Sequence, residues 1–274
     1  MANAPADRPA PRAGRVRLSI GALNPLTRQA IESAVRLAAN GDGRIDCLFV
    51  EDVDLFRAAS LPLTREFGVA TSGTARRFDA QDLAGALRQQ AARARQAVEQ
   101  AAHAARLAVS FEVTRGALLE EALRHADADD LLVVAASGLD PEEAQAPRRQ
   151  AVARALTLLA LVDSLPADSA LLRAALRAVP GASLALWACG AAAQSADALE
   201  EQCLLLEREL GAPLRRVQAG APAEVGALVA ALSQSQARML AMRRDTLAAL
   251  AGELGWCLRR RSAVLLAAPQ DIER

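Results

Sequence analysis

"FEVTRGALLEEAL" (Phe111–Leu123) and "RRVQAGAPAEVGAL" (Arg215–Leu228) follow one plan in the two halves of the chain. Each is a strand that runs into a glycine and then into an acidic residue opening a helix. Gly116 and Gly220 fall where a strand must turn tightly into a helix, and glycine tolerates such backbone geometry. The repetition predicts two copies of one unit, over residues 14–153 and 154–274, behind a disordered tail over residues 1–13.

Outward from these stretches, strands and helices alternate. In the first half, Val16–Ile20, Ile45–Val50, Val109–Val113 and Leu131–Ala135 read as β-branched, apolar strands. A helix is predicted from Pro25 to about Ala39, because proline suits a first turn and Asn40-Gly41 suits a left-handed end. Leu83, Leu87, Ala91, Ala94, Val98, Ala101 and Ala105 recur at spacings of three and four, which predicts a long helix over Asp79–Arg106 with Asp79 as N-cap. Leu118–Ala126 is a shorter helix.

In the second half, strands are predicted at Thr157–Val162, Ser183–Ala188, Leu214–Val217, Met239–Met242 and Ala263–Ala267. Helices are predicted at Ala170–Ala178, Ala198–Leu210, Ala223–Leu232 and Leu247–Leu254. Alternation of this kind implies parallel pairing, so the expected class is α/β: two Rossmann-like units, each a parallel sheet flanked by helices.

Composition narrows the function. Half of the 274 residues are hydrophobic (52%), so the chain can bury a large core. The 32 basic residues balance the 32 acidic ones, which leaves no overall basic field for nucleic acid or an anionic membrane. Every basic side chain except the two histidines is an arginine, so a phosphate loop that needs lysine is excluded. The four cysteines, Cys47, Cys189, Cys203 and Cys257, form no C-x-x-C pair. The first residues lack an apolar signal core, and no apolar run spans a bilayer. The expectation is a cytoplasmic protein with free thiols.

"RIDCLFVEDVDLFRAASLP" (Arg44–Pro62), the "VTRG" strand end (Val113–Gly116) and "ADDLLVVAASG" (Ala128–Gly138) together resemble the universal stress protein family, in a tandem form. The resemblance covers nearly the whole chain after the tail. It implies five parallel strands per unit. In ATP-binding members it also implies an Asp ending the first strand and a glycine loop after the fourth, whose N–H groups hold phosphate.

Neither unit matches that site fully. In the first, Ser137 and Gly138 are the only remnants of the loop. No further glycine occurs before Gly181, and Asp140, Glu142 and Glu143 would repel phosphate. The first strand ends Gly21-Ala22-Leu23-Asn24, without the aspartate. In the second unit Asp163 matches the aspartate, but the fourth strand runs into Met242-Arg243-Arg244-Asp245 with no glycine. Ser137, Gly138 and Asp163 are therefore read as remnants of an ATP site. The alternative is an anion held by the Arg243 and Arg244 side chains. The family pattern also needs two strands between residues 136 and 163, where one apolar run stands. Asp163 assigns that run to the second unit and leaves the first without a fifth strand.

No catalytic set or metal motif emerges. His103 and His125 lack the spacing of metal ligands, no nucleophile elbow exists, and Ser137 has no local base. Cys47 and Cys189 read as strand residues packing as small hydrophobes. The segment Glu51–Phe78 holds Leu55, Phe56, Leu61, Leu63 and Phe67, which implies a partly helical excursion rather than a floppy loop. With the helix after it, which carries Arg88, Arg93, Arg95 and Arg106, it forms a candidate surface over residues 51–106 for a protein partner or self-association. The expected function is non-enzymatic, in stress response or regulation through protein contacts, with no cofactor. A nucleotide-binding protein with a non-standard phosphate site, holding ATP or AMP, is the alternative.

Overall fold

The computed structural model describes residues 15–61, 65–67, 75–77, 80–136, 157–163, 165–189, 211, 214–219, 237–258 and 263–269, with scattered residues in 201–208 and 226–232. Its elements are β1 (Val16–Ile20), α1 (Pro25–Ala39), β2 (Arg44–Asp52), α2 (Val53–Ser60), β3 (Arg65–Phe67), β4 (Ala75–Arg77), α3 (Ala80–Ala104), β5 (Ala108–Gly116), α4 (Leu118–His125) and β6 (Leu131–Ala136). They continue with β7 (Thr157–Val162), α5 (Leu165–Ala178), β8 (Ser183–Ala188), β9 (Leu214–Ala219), β10 (Met239–Arg243), α6 (Arg244–Leu258) and β11 (Ala263–Ala268). The described residues in 201–208 and 226–232 are helical.

Nine strands form one sheet in the order β5-β2-β1-β6-β11-β10-β7-β8-β9, and β3 and β4 form a separate antiparallel pair. Within β5-β2-β1-β6 and within β11-β10-β7-β8-β9 every pairing is parallel. The expected α/β class is therefore present. What the sequence did not indicate is the junction. The two parallel sets meet through β6 and β11, which run antiparallel with Val134 opposite Leu265. The run Thr157–Val162 pairs with β8 and β10, as the assignment beside Asp163 expects. β11 occupies the place next to β6.

Alternation along the strands divides the core into two layers. Leu18, Ile20, Cys47, Phe49, Leu158, Ala160, Leu184 and Leu266 face α1, α3 and α5. Leu132, Val134, Leu159, Leu161, Leu240, Met242 and Leu265 face α4 and α6. Strands buried on both faces read as nearly continuous apolar runs, which is why Leu131–Ala135 and, apart from Asp46, Ile45–Val50 show no polar alternation.

Local chemistry sets the helix ends. The Asn24 side chain accepts the Thr27 N–H at 2.9 Å, and Pro25 occupies the first turn. The left-handed residue after α1 is Gly43 (φ 74°), two positions beyond the expected Gly41. Asp79 lies outside the described residues. α3 ends in a Schellman motif: Leu107 N–H donates to the Ala102 carbonyl at 2.9 Å and Arg106 N–H to that of His103 at 3.0 Å. The left-handed position in it is filled by Arg106 (φ 58°) rather than glycine.

α3 is 25 residues, roughly 37 Å, because it serves two cores. Ala91, Ala94 and Val98 pack on the main sheet. Leu83 and Leu87 instead meet Leu55, Phe56 and Ala59 in a small separate cluster. The Arg115 guanidinium lies over the Phe56 ring at 3.7 Å, so α2, the helical part of the excursion, is held against the end of β5. Leu63 lies outside the described residues.

Two outcomes test this reading. A Cβ at Gly116 would lie 2.6 Å from Glu121 Cγ and 2.5 Å from its Oε1, and Glu121 is buried. Gly116→Ala is expected to lower stability by about 1–3 kcal/mol in urea titrations. Arg106→Gly removes left-handed strain from an exposed residue and is expected to raise stability by up to about 1 kcal/mol. Equal stability of both variants and wild type would contradict these assignments.

Candidate functional site

In open α/β sheets ligands sit beyond the carboxyl ends of the strands, where the chain order reverses. The sheet has such a point between β1 and β6 and another between β7 and β10.

At the first point, the β1 end is occupied by its own turn. Thr27 Oγ1 donates to the Ala22 carbonyl, and the Asn24 oxygen caps α1. The side-chain oxygen at this position is thus used in capping the helix. Ser137 and Gly138, the expected loop remnants, lie outside the described residues, as do Asp140, Glu142 and Glu143.

At the second point the structure brings together residues that the sequence had kept apart. Asp163 follows β7, Asp168 sits in the first turn of α5, Arg243 ends β10, and Asp245 opens α6. Arg243 is 3.6 Å from Asp163, 3.8 Å from Asp168 and 3.5 Å from Asp245. These separations exceed a good charged hydrogen bond, so the guanidinium acts as a shared counter-charge. Asp168 is buried (1% exposed) and accepts the Asp163 N–H at 2.7 Å, which fixes the turn after β7.

Arg244 goes elsewhere. Its guanidinium donates to the Ala126 carbonyl beyond the end of α4. The pair Arg243-Arg244 therefore does not converge. One arginine faces three carboxylates, and its neighbour ties α6 to the segment after α4. The net charge around Arg243 is negative, which disfavours a phosphate there. Among the described residues no group of histidine, cysteine and carboxylate side chains could hold a metal ion.

Cys189 completes the cluster. It lies just past β8 rather than inside it, with Sγ donating to the Val162 carbonyl at 3.3 Å. Burial pushes its pKa up to about 11, Asp163 and Asp168 add to the rise, and Arg243 opposes it. Cys47 is buried within β2, as expected, and burial raises its pKa further. His103 belongs to α3. His125 Nδ1 lies 2.9 Å from the Glu121 carbonyl at the end of α4, where a helix end favours it.

Sequence reasoning found Asp163 and the arginine pair but missed Asp168, Asp245 and Cys189 as their partners. Pro166 after the β7 turn was the available signal for Asp168. Proline suits a first helical turn, which starts α5 at Leu165 rather than at Ala170 and places Asp168 inside it.

No protein-family model matches the sequence, and no curated protein does. Among solved structures, a universal stress protein from Archaeoglobus fulgidus DSM 4304 is similar at 13% identity and a TM-score of 0.48, over 94% of this chain and 97% of that one. No helix among the described residues is long and apolar enough to cross a membrane.

The cluster predicts an order of thiol reactivity. Asp163→Asn removes a charge that raises the Cys189 pKa, so it is expected to speed Cys189 alkylation at pH 8 by about two- to tenfold. Arg243→Leu removes the opposing charge and is expected to slow it by a similar factor. Site-resolved mass spectrometry reads each rate, and the reverse order would show that the cluster does not set this thiol.

Proposed function

We propose that this chain is a non-enzymatic protein of the universal stress type, acting in stress response or regulation through protein contacts, with its nucleotide site degraded. The proposal takes residues 14–153 and 154–274 as two related units and residues 51–106 as the contact surface. Support comes first from topology. In chain order, the strands β11-β10-β7-β8-β9 stand as fifth, fourth, first, second, third, and β6-β1-β2-β5 repeat that order without the fifth. The sequence resemblance carried by "VTRG" and "ADDLLVVAASG" points the same way.

The observation that carries the degraded site is Arg243. The position where a glycine loop would turn its N–H groups toward phosphate bears a guanidinium already matched by Asp163, Asp168 and Asp245. A phosphate entering there would face three carboxylates against one cation. The exposed Leu61 (61%) beside α2 supports a contact role for the excursion.

Titration calorimetry of the pure chain with magnesium and ATP is the test. No binding heat is expected up to about 1 mM nucleotide, a ΔG weaker than about −4 kcal/mol. A micromolar dissociation constant would overturn the degraded-site reading in favour of a non-standard nucleotide site. Loss of that binding in Ser137→Ala or in Asp163→Ala would then show which half holds it.

A further inference from the structure

β5 is nine residues long and pairs only with β2 among the described strands. Ala108 N–H donates to the Gly43 carbonyl at 2.9 Å, so the even-numbered residues of β5 turn their main-chain groups toward β2. The odd-numbered residues Val109, Phe111, Val113 and Arg115 turn theirs away. The Phe111 carbonyl agrees with this, accepting from Arg95 on α3 at 3.4 Å. A row of outward N–H and C=O groups is a template for another strand.

The side chains add an apolar match. Val113 is half exposed (50%). Val109, four residues earlier on the same face of the strand, lines a shallow depression together with Leu107 just before the strand and Glu99, Gln100 and His103 of α3.

We propose that β5 pairs antiparallel with β5 of a second copy of this chain, centred on Phe111. In that register Val113 of each copy lies opposite Val109 of the other, so each exposed valine fills the other's depression. Glu112 lies opposite Ser110. Centring on Glu112 instead sets that carboxylate against itself, which is unfavourable. Centring on Val113 leaves the depression facing Ala117. The Phe111 register brings Val109, Phe111 and Val113 into hydrogen-bonded pairs, about six main-chain bonds in all. It also places the two Phe111 rings opposite each other, each with an Arg95 guanidinium 5.0 Å above it. The long Arg95 bond to the Phe111 carbonyl yields to the second strand. The inference does not depend on the state of the nucleotide site.

Sedimentation of the full-length chain tests it. A dimer is expected at tens of micromolar. Val113→Lys, at an exposed position, is expected to weaken it by about tenfold or more, with an unchanged melting curve at protein concentrations where the wild type is monomeric. In wild type, slow exchange of the Val109, Phe111 and Val113 amides is expected to depend on protein concentration, which needs no variant. A mixture of Val113→Cys and Val109→Cys chains is expected to cross-link under oxidation, and Val113→Cys alone is not. A monomer at about 100 µM, a dimer that Val113→Lys leaves intact, or self-cross-linking of Val113→Cys would overturn the proposal. A monomer that takes up an unrelated extended peptide on β5 would overturn the choice of occupant.

Discussion

The antiparallel pairing of β6 with β11 holds the rest in place. Each parallel set has its own helices, but neither is complete alone. Beside β6, the first set would expose the main-chain groups of Leu131–Ala136, and beside β11 the second would expose those of Ala263–Ala268. Five consecutive residue pairs, from Ala136 opposite Ala263 to Leu132 opposite Ala267, close both gaps at once. This pairing also covers two apolar strands that would otherwise be bare sheet edges open to another chain. Apolar layers on both faces then run across it without interruption, and α1 and α5 share one core. Arg36 on α1 donates to the Ala178 carbonyl at the end of α5, and Arg244 donates to the Ala126 carbonyl beyond α4. The two halves are tied on both faces of the sheet.

Most of this fold was legible because buried parallel strands are short apolar runs with helices between them. Val16–Ile20, Thr157–Val162 and Ser183–Ala188 have the expected bounds. Lengths were missed where local and tertiary signals differ. β5 extends to Gly116 through Thr114 and Arg115, because backbone pairing with Val50–Asp52 continues after the apolar run stops. The seam was not legible at all. No feature of Leu131–Ala136 or Ala263–Ala268 states direction, since an apolar strand pairs either way.

The site was legible in its chemistry but not in its geometry. An aspartate after one strand and arginines after another are visible as residue types. That Arg243 meets three carboxylates while Arg244 turns to a main-chain carbonyl depends on where α6 begins. Arg244 is its first residue, so the two arginines leave the backbone on either side of a strand-to-helix turn. The absence of lysine matters here too. A guanidinium spreads its charge over a plane and stays charged at any ordinary pH, which suits a counter-charge shared among three carboxylates.

The same seam decides where the molecule can grow. A sheet of two complete five-stranded sets would present a fourth or fifth strand at its middle or its margin, depending on how the sets met. Here β11 fills the space beside β6, so the margins of the described sheet are β5 and β9, the third strand of each set in chain order. Parallel sheets are normally closed to water on both faces, and their edges are short or covered. β5 departs from that pattern, with Ala108, Glu112, Val113 and Arg115 exposed and its other residues half-buried. What anchors it lies on its inner side. Ser110 Oγ donates to Asp46 at 2.6 Å, and Arg44 Nε reaches the same carboxylate at 2.9 Å. Burial alone would raise the Asp46 pKa, but these partners hold it below the usual carboxylate range. A depressed carboxylate stabilises the fold above its unfolded pKa and loses that contribution as pH falls through the folded one. The grip of β2 on β5 therefore weakens only in acid, and at neutral pH the outer side of β5 is a firmly held edge.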